Sequence, residues 1–278
     1  MKKIFLLAVA VYAFLFTNAQ SIKTPAPSPT QTLKQDFALS SIEISYSRPG
    51  VKGRKIFGDL VPYGKVWRTG ANSATTITFG EDVTIGGTLV KAGTYGLLTI
   101  PDKDNWTIII SKQTDVTSPA DYKQDEDVVR VNTKPQTLTF SEETFTINIY
   151  DIKDNSCSIG FLWDNQYAGF TVTTDIDKKI MANIKKVMDG DTRPYFQSAM
   201  YYLNNGKDLN QALIWFNKAV ELQPNTFFII YQQAVCLAKL GKKGEAKAAA
   251  QKSMALAKEA KNDDYVRLNE KLLAELDK

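Results

Sequence analysis

Arg48, Arg54, Tyr63, Trp67, Arg68 and Asn72 fall within one stretch, Tyr46–Tyr95. Guanidinium forks grip a carboxylate, phosphate or sulfate through paired hydrogen bonds. The rings of Trp67 and Tyr63 suit a sugar or another flat apolar face. Asn72 supplies a donor and an acceptor. Together these residues describe a site for a sugar or a small anion. They also describe staples for a long loop, with the arginines paired to Asp59, Glu81 or Asp82 and the rings capping one end of a β structure, and such roles are commoner than ligand sites.

Other chemistries are narrowed by what the chain lacks. It contains no histidine, which removes Ser-His-Asp and Cys-His catalysis and the common histidine-based zinc sites. No acidic calcium loop of the D-x-D-x-D-G type is present. A glycan-acting enzyme would need two carboxylates facing each other across a cleft, and no pair stands out. Asp121, Asp125, Glu126 and Asp127 form an acidic cluster that reads as a solvated loop rather than a cation site. No catalytic residue, metal ligand or cofactor is therefore assigned. The formal charge of +4, from 34 basic and 30 acidic residues, is too small to argue for a nucleic-acid partner. Cys157 and Cys236 fall in different halves and read as small buried apolar residues.

The elements that must position these residues change character along the chain. From Phe37 to Thr174, short runs rich in β-branched and aromatic residues alternate with turn chemistry, as in TTITF, WTIII and TFTINIY. Gly86-Gly87, Asp102–Asn105, Glu142-Glu143 and Asp164-Asn165 read as turns between strands. The pattern predicts an antiparallel β sandwich or partly closed barrel over residues 35–174. Ile176, Ile180, Ile184 and Val187 then recur at helical spacing, giving a connecting helix within 175–192 that ends at Asp189-Gly190-Asp191.

Residues 193–278 are helical and repetitive. Ala212, Phe216, Ala219 and Pro224 have the spacing of the second helix of a tetratricopeptide repeat, and Ala234, Leu237, Gly241 and Ala246 begin a second unit. Val266, Leu268, Leu272, Leu273 and Leu276 supply a capping helix that opens at Asp263-Asp264. The expectation is a β + α chain of two domains, the second a short tetratricopeptide-like solenoid whose face docks a protein partner.

At the N-terminus, Lys2 and Lys3 precede an apolar run from Ile4 to Phe16, and Thr17-Asn18-Ala19 resembles a small-residue cleavage site. Residues 1–19 read as a secretion signal, with no membrane span after its removal. Residues 20–34 read as a proline-rich spacer. The mature chain is expected in the periplasm, at the cell surface or outside the cell.

The runs Ser47–Pro49 (SRP), Lys52–Gly58 (KGRKIFG), Leu60–Gly64 (LVPYG), Trp67–Asn72 (WRTGAN), Ala92–Tyr95 (AGTY) and Trp106–Ile109 (WTII) closely resemble a family of secreted bacterial proteins known as domain of unknown function 2911. The resemblance covers roughly residues 35–173. It implies an exported β domain, here joined to helical repeats, and carries no mechanism. The whole reads as an exported, non-catalytic binding protein of the bacterial envelope. The alternatives are a glycan-acting enzyme using Asp/Glu chemistry and a passive sugar- or anion-binding module.

Overall fold

The computed structural model describes residues 24–190 and 193–278. The segment read as a secretion signal lies outside them, as does Asp191. The chain divides after Ile176 into two compact units. Among the described residues, no helix is long and apolar enough to cross a membrane.

Period-two alternation shapes the first unit. Ile42, Ile44 and Tyr46 are buried, while Ser41, Glu43 and Ser45 between them are half-buried. The strands are β1 (Thr30–Phe37), β2 (Ser40–Ser47), β3 (Thr76–Phe79), β4 (Val83–Ile85), β5 (Thr88–Val90), β6 (Gly93–Ile100), β7 (Trp106–Ser111), β8 (Asp127–Thr133), β9 (Gln136–Tyr150) and β10 (Ser156–Thr173). They form a six-stranded sheet ordered β1-β2-β3-β6-β7-β8 and a four-stranded sheet ordered β5-β4-β10-β9. Neighbouring strands are antiparallel throughout. Neither sheet closes on itself, so the barrel option gives way to two open sheets. They share one core, in which Ile44, Ile77 and Leu97 of the first sheet meet Ile147, Ile159 and Phe161 of the second.

Two expected turns are absent. Glu142-Glu143 lies inside β9, and Asp164-Asn165 lies inside β10. The two strands form one long ribbon, joined through residues 151–155. Turn-forming chemistry has been used for a bulge instead: the register shifts on both sides of Asp164, whose φ is +52°. Ser141 Oγ donates to Asp164 Oδ1 at 2.8 Å and holds it there. Gly86-Gly87 does turn the chain between β4 and β5, with both residues at positive φ. At the N-terminus, strand structure reaches back to Thr30, inside the stretch read as a spacer.

The four-stranded sheet ends at β9, whose outer edge would expose unpaired backbone groups. The segment that follows β2 closes it. Ile147 N donates to the Tyr46 hydroxyl at 2.9 Å, and that hydroxyl lies 3.2 Å from Ile147 O and 3.0 Å from Gln31 Oε1. Phe145 N donates to Pro49 O at 2.9 Å, and Val51 N donates to Glu143 O at 2.7 Å. Arg48 Nε donates to Phe145 O at 3.0 Å and its Nη2 to Thr146 Oγ1 at 2.7 Å. One continuous segment therefore belongs to the first sheet through β2 and to the second through residues 46–51. Burial raises the Tyr46 phenol above its ordinary pKa, although the hydrogen bond with Ile147 and the charge of Arg48 oppose that rise.

Among the described residues, the second unit holds six helices: α1 (Asp177–Met188), α2 (Tyr195–Asn204), α3 (Leu209–Leu222), α4 (Phe227–Lys239), α5 (Lys243–Glu259) and α6 (Asp263–Leu276). The helix expected to connect the units, α1, belongs to this one: Tyr201 Oη and Lys207 Nζ both reach Asp177 Oδ1, at 2.7 Å each. Ala199, Ala212, Ala234, Ala246 and Ala250 are fully buried, and these small side chains let neighbouring helices approach closely. Gly206 and Gly241 turn the chain at positive φ after α2 and α4. Asn262 caps α6 by accepting from Tyr265 N at 3.1 Å, and Asp263 and Asp264 occupy its first turn. Asn269, fully buried, donates to Ser253 Oγ at 2.9 Å, and Ser253 Oγ donates to Phe227 O at 2.8 Å, so α4, α5 and α6 are tied by one polar chain.

Tyr46→Phe keeps the ring, which packs edge-on to Phe145 at 5.8 Å, and removes the hydroxyl that serves the β9 edge. Chemical denaturation should show a loss of about 1–3 kcal/mol, the usual consequence of leaving buried backbone groups unpaired. Unchanged stability would mean that the hydroxyl does not hold the edge. Both cysteines are unpaired and buried. Burial pushes the Cys157 thiol up to about 11, so it stays protonated at neutral pH. Its stabilising contribution is complete below the ordinary thiol pKa and is lost as pH rises through the folded value. Iodoacetamide at pH 7.5 should therefore label Cys157 only after denaturant is added, as read by peptide mass spectrometry.

Candidate functional site

The connection between β2 and β3, residues 48–75, has a hydrophobic anchor of its own. Ile56, Phe57 and Val61 are buried and belong to the main core. Val61 N donates to Ile56 O and Gly58 N donates to Val61 O, both at 2.9 Å, closing a small hook. Gly58 sits at φ +82° beneath the Tyr63 ring, where an added Cβ would come within 2.6 Å of a ring carbon.

Further along, Trp67 joins the six-stranded sheet by pairing with Thr99: Trp67 N donates to Thr99 O at 2.7 Å, and Thr99 N donates back at 3.0 Å. Its ring stacks on Trp163 with centroids 5.7 Å apart and planes 16° apart, and it meets Phe145 at 5.0 Å. Such pairs contribute about 0.5–1.5 kcal/mol each beyond their buried area. Trp67 Nε1 donates to Gly70 O at 3.0 Å. Gly70 has φ +155°, and an added Cβ would lie 2.9 Å from Ser47 O, so both backbone and space call for glycine.

Beside Trp67 lies a cavity of about 370 Å³. Arg54, Lys65 and Arg68 contribute its charge, and Leu60, Val66 and Pro119 part of its apolar wall. No Asp or Glu lines it among the described residues. The turn Thr117–Pro119 forms one side. Asp121 Oδ2 accepts from Ser118 N at 2.9 Å and from Thr117 Oγ1 at 3.1 Å, which fixes that turn. These donors, the Ser118 backbone N–H first among them, hold the Asp121 carboxyl below its ordinary pKa. Arg68 Nη1 donates to Thr117 O across the cavity wall.

Two side-chain donors in the packing around this cavity lack partners among the described residues. Arg68 Nε and Trp163 Nε1 are both shielded from solvent, and neither has a hydrogen-bond acceptor among the described residues. Trp163 itself is 2% exposed. Each unpaired buried donor costs about 1–3 kcal/mol, and both side chains line this one cavity.

The other expected site residues divide. Arg48 seals the β9 edge. Arg54 donates to Gly50 O at 2.5 Å and Val51 O at 3.1 Å while lining the cavity. Asn72, at φ +56°, donates to Ser28 O at 3.2 Å and pins the N-terminal segment. Tyr63 lies instead in a separate depression of about 220 Å³ with Asp102, Lys103 and Gln166. None of Arg48, Arg54 and Arg68 forms an ion pair with Asp59, Glu81 or Asp82; their partners are carbonyls and a hydroxyl. The expected acid pairing is thus replaced by backbone acceptors, because this loop folds against chain whose carbonyls need donors.

The acidic cluster is not uniformly solvated. The Asp127 carboxyl is 6% exposed and accepts from Arg130 Nη1 at 2.8 Å and from Tyr122 Oη. Burial first, then the hydrogen bond and charge of Asp127, push the Tyr122 phenol up to about 12.

The family described as Protein of unknown function (DUF2911) matches residues 28–172. The chain belongs to the DUF2911 family. No curated protein and no solved structure matches it. The DUF2911 span runs from Ser28 on the cavity wall to Val172 in β10, so the whole cavity lies within it and the helical unit lies outside. Sequence reasoning missed Trp163, Ser28 and Thr117–Pro119 as parts of the wall of this cavity. Trp163 read simply as a strand residue; a tryptophan with a lone polar donor in a core strand was the available signal. Nothing in the order of residues placed Ser28 or Thr117 beside it.

Arg48→Ala removes two bonds at the β9 edge and should destabilise the domain by about 1–3 kcal/mol. Arg68→Ala removes one carbonyl bond together with an unpaired buried donor, so its stability should stay within about 1 kcal/mol of the parent. Urea titration of the two variants checks the contrast, which disappears if both arginines are merely staples.

Proposed function

We propose that this chain is an exported, non-catalytic binding protein of the bacterial envelope. Its β unit holds a sugar or small anion in the cavity beside Trp67, and its tetratricopeptide-like helices dock a protein partner. The carrying observation is the composition of that cavity: three cationic side chains and two tryptophans, with no carboxylate in the lining among the described residues. Hydrolysis of a glycan by Asp/Glu chemistry needs a proton donor and a second carboxylate at the bond to be cleaved. This lining supplies neither, while binding requires only shape, donors and charge.

Several features support the helical part of the reading. Two helix pairs carry glycine turns at corresponding places, and Ala212 and Ala246 fill corresponding buried positions. Ile214, Leu222 and Phe228 remain exposed on these helices, at 55%, 66% and 37%. Stacked helical pairs with exposed apolar side chains hold extended protein segments elsewhere. Export rests on the N-terminal charge and apolar pattern.

Thermal-shift screening of the mature chain against neutral sugars, inorganic anions and organic acids tests the cavity. A hit that Arg68→Ala abolishes without altering melting is the expected result; hits unaffected by Arg68→Ala and Trp67→Ala would place binding elsewhere. For the helices, partner capture from an envelope extract should fail with the paired surface substitution Leu222→Glu and Phe228→Glu. Retention of every partner by that variant would remove docking from this face.

A further inference from the structure

A β sheet that does not close has two edges, and each carries a row of unpaired backbone donors and acceptors. The β9 edge of the four-stranded sheet is covered by residues 46–51. β5, at the other end of that sheet, offers three residues. In the six-stranded sheet, β8 pairs with β7 through a register break at Ser111. β1 is different. Its eight residues run against β2 without a break in register and without proline, and no third strand lies beside them among the described residues. Such an edge is a template for another chain.

The pairing fixes which groups face outward. Gly80 N donates to Ser41 O at 3.0 Å, so Ser41 directs its backbone away from β1. Asp36, opposite Ser41, therefore directs its own away from β2, and by period two so do Lys34 and Thr32. The side chains of Thr32, Lys34 and Asp36 are exposed. Opposite charges two residues apart are self-complementary in an antiparallel pair. A second β1, related by a two-fold axis at Gln35, sets each Lys34 opposite Asp36 of the other copy at a backbone-bonded position. Lys34 then lies between that carboxylate and Glu43, its cross-strand neighbour on β2. On the other face, Leu33 at the rim of the core comes opposite Phe37 of the second copy. Centring the pair on Lys34 would oppose two lysines, and centring it on Leu33 would leave both charges opposite threonines.

We infer that β1 is a docking edge for a second copy of this chain, joined antiparallel about Gln35 so that two six-stranded sheets become one. The contact is small, which puts the dimer in the weak, reversible class.

Sedimentation equilibrium of the mature chain tests this, with an expected Kd of about 100 µM. A monomer persisting at about 500 µM would overturn the proposal. Lys34→Asp opposes carboxylates and Asp36→Lys opposes ammonium groups, at two places in each dimer. Each variant alone should associate about ten-fold more weakly or worse. Mixed together, the two variants set every charge against its opposite, and association should return to within about three-fold of the parent. Both positions are exposed, so the variants should melt as the parent does. A dimer indifferent to both substitutions would put the contact elsewhere, and a mixture that does not recover would overturn this register. Amide exchange read by NMR examines the backbone itself. The N–H groups of Lys34 and Asp36 should exchange more slowly as concentration rises, while that of Gln35, which faces β2, stays constant. A dimer without that slowing would overturn strand pairing.

Discussion

The edge of β9 is the constraint on which the rest of the β unit depends. An open sheet must dispose of the unpaired groups along its last strand, and this protein does so with chain that has just left the other sheet. Tyr46, Arg48, Pro49 and Val51 together occupy Glu143, Phe145, Thr146 and Ile147. The two sheets are therefore bound by directed hydrogen bonds as well as by the apolar contacts between their faces. The chain then leaves the β9 edge at a fixed point, which sets where the hook at Ile56–Val61 and the strand-like pairing of Trp67 can fall. The cavity is a consequence of that path: its walls come from a loop pinned at both ends.

Within this well-satisfied surrounding, the unpaired donors stand out. The protein finds acceptors for Arg48, Arg54, Trp67 and Tyr46, yet leaves Arg68 Nε and Trp163 Nε1 without them. Buried polar groups left unmet are uncommon. The stacked pair of tryptophans gives that spot rigidity, because moving Trp67 would disturb Trp163, Phe145 and Phe57 at once. A wall fixed in this way keeps one shape.

Much of the fold was legible because its signals are local. Alternating Ile42, Ile44 and Tyr46 announced a strand, and Gly86-Gly87 announced a turn. Asp263-Asp264 announced a helix start. Failures came where a local signal served a non-local purpose. Asp164-Asn165 has turn chemistry but bends a continuous strand, since β9 continues opposite it with its own hydrogen-bonding demand. Arg48, Arg54 and Arg68 share a neighbourhood in sequence but meet different carbonyls, and only the latter two reach the cavity. Trp163, nearly a hundred residues after Trp67, becomes its stacking partner through sheet topology, which no spacing rule encodes.

Ser28 shows how closely the start of the β unit is bound to the cavity wall. Its carbonyl is held by Asn72, and Arg48 N donates to the neighbouring Pro29 O at 2.9 Å. Ser28 also lines the cavity. Whatever precedes it in the chain therefore departs from the cavity wall itself. A fluorophore carried on the exposed residue Pro27 would stand at the threshold, and its emission would follow filling and emptying in real time.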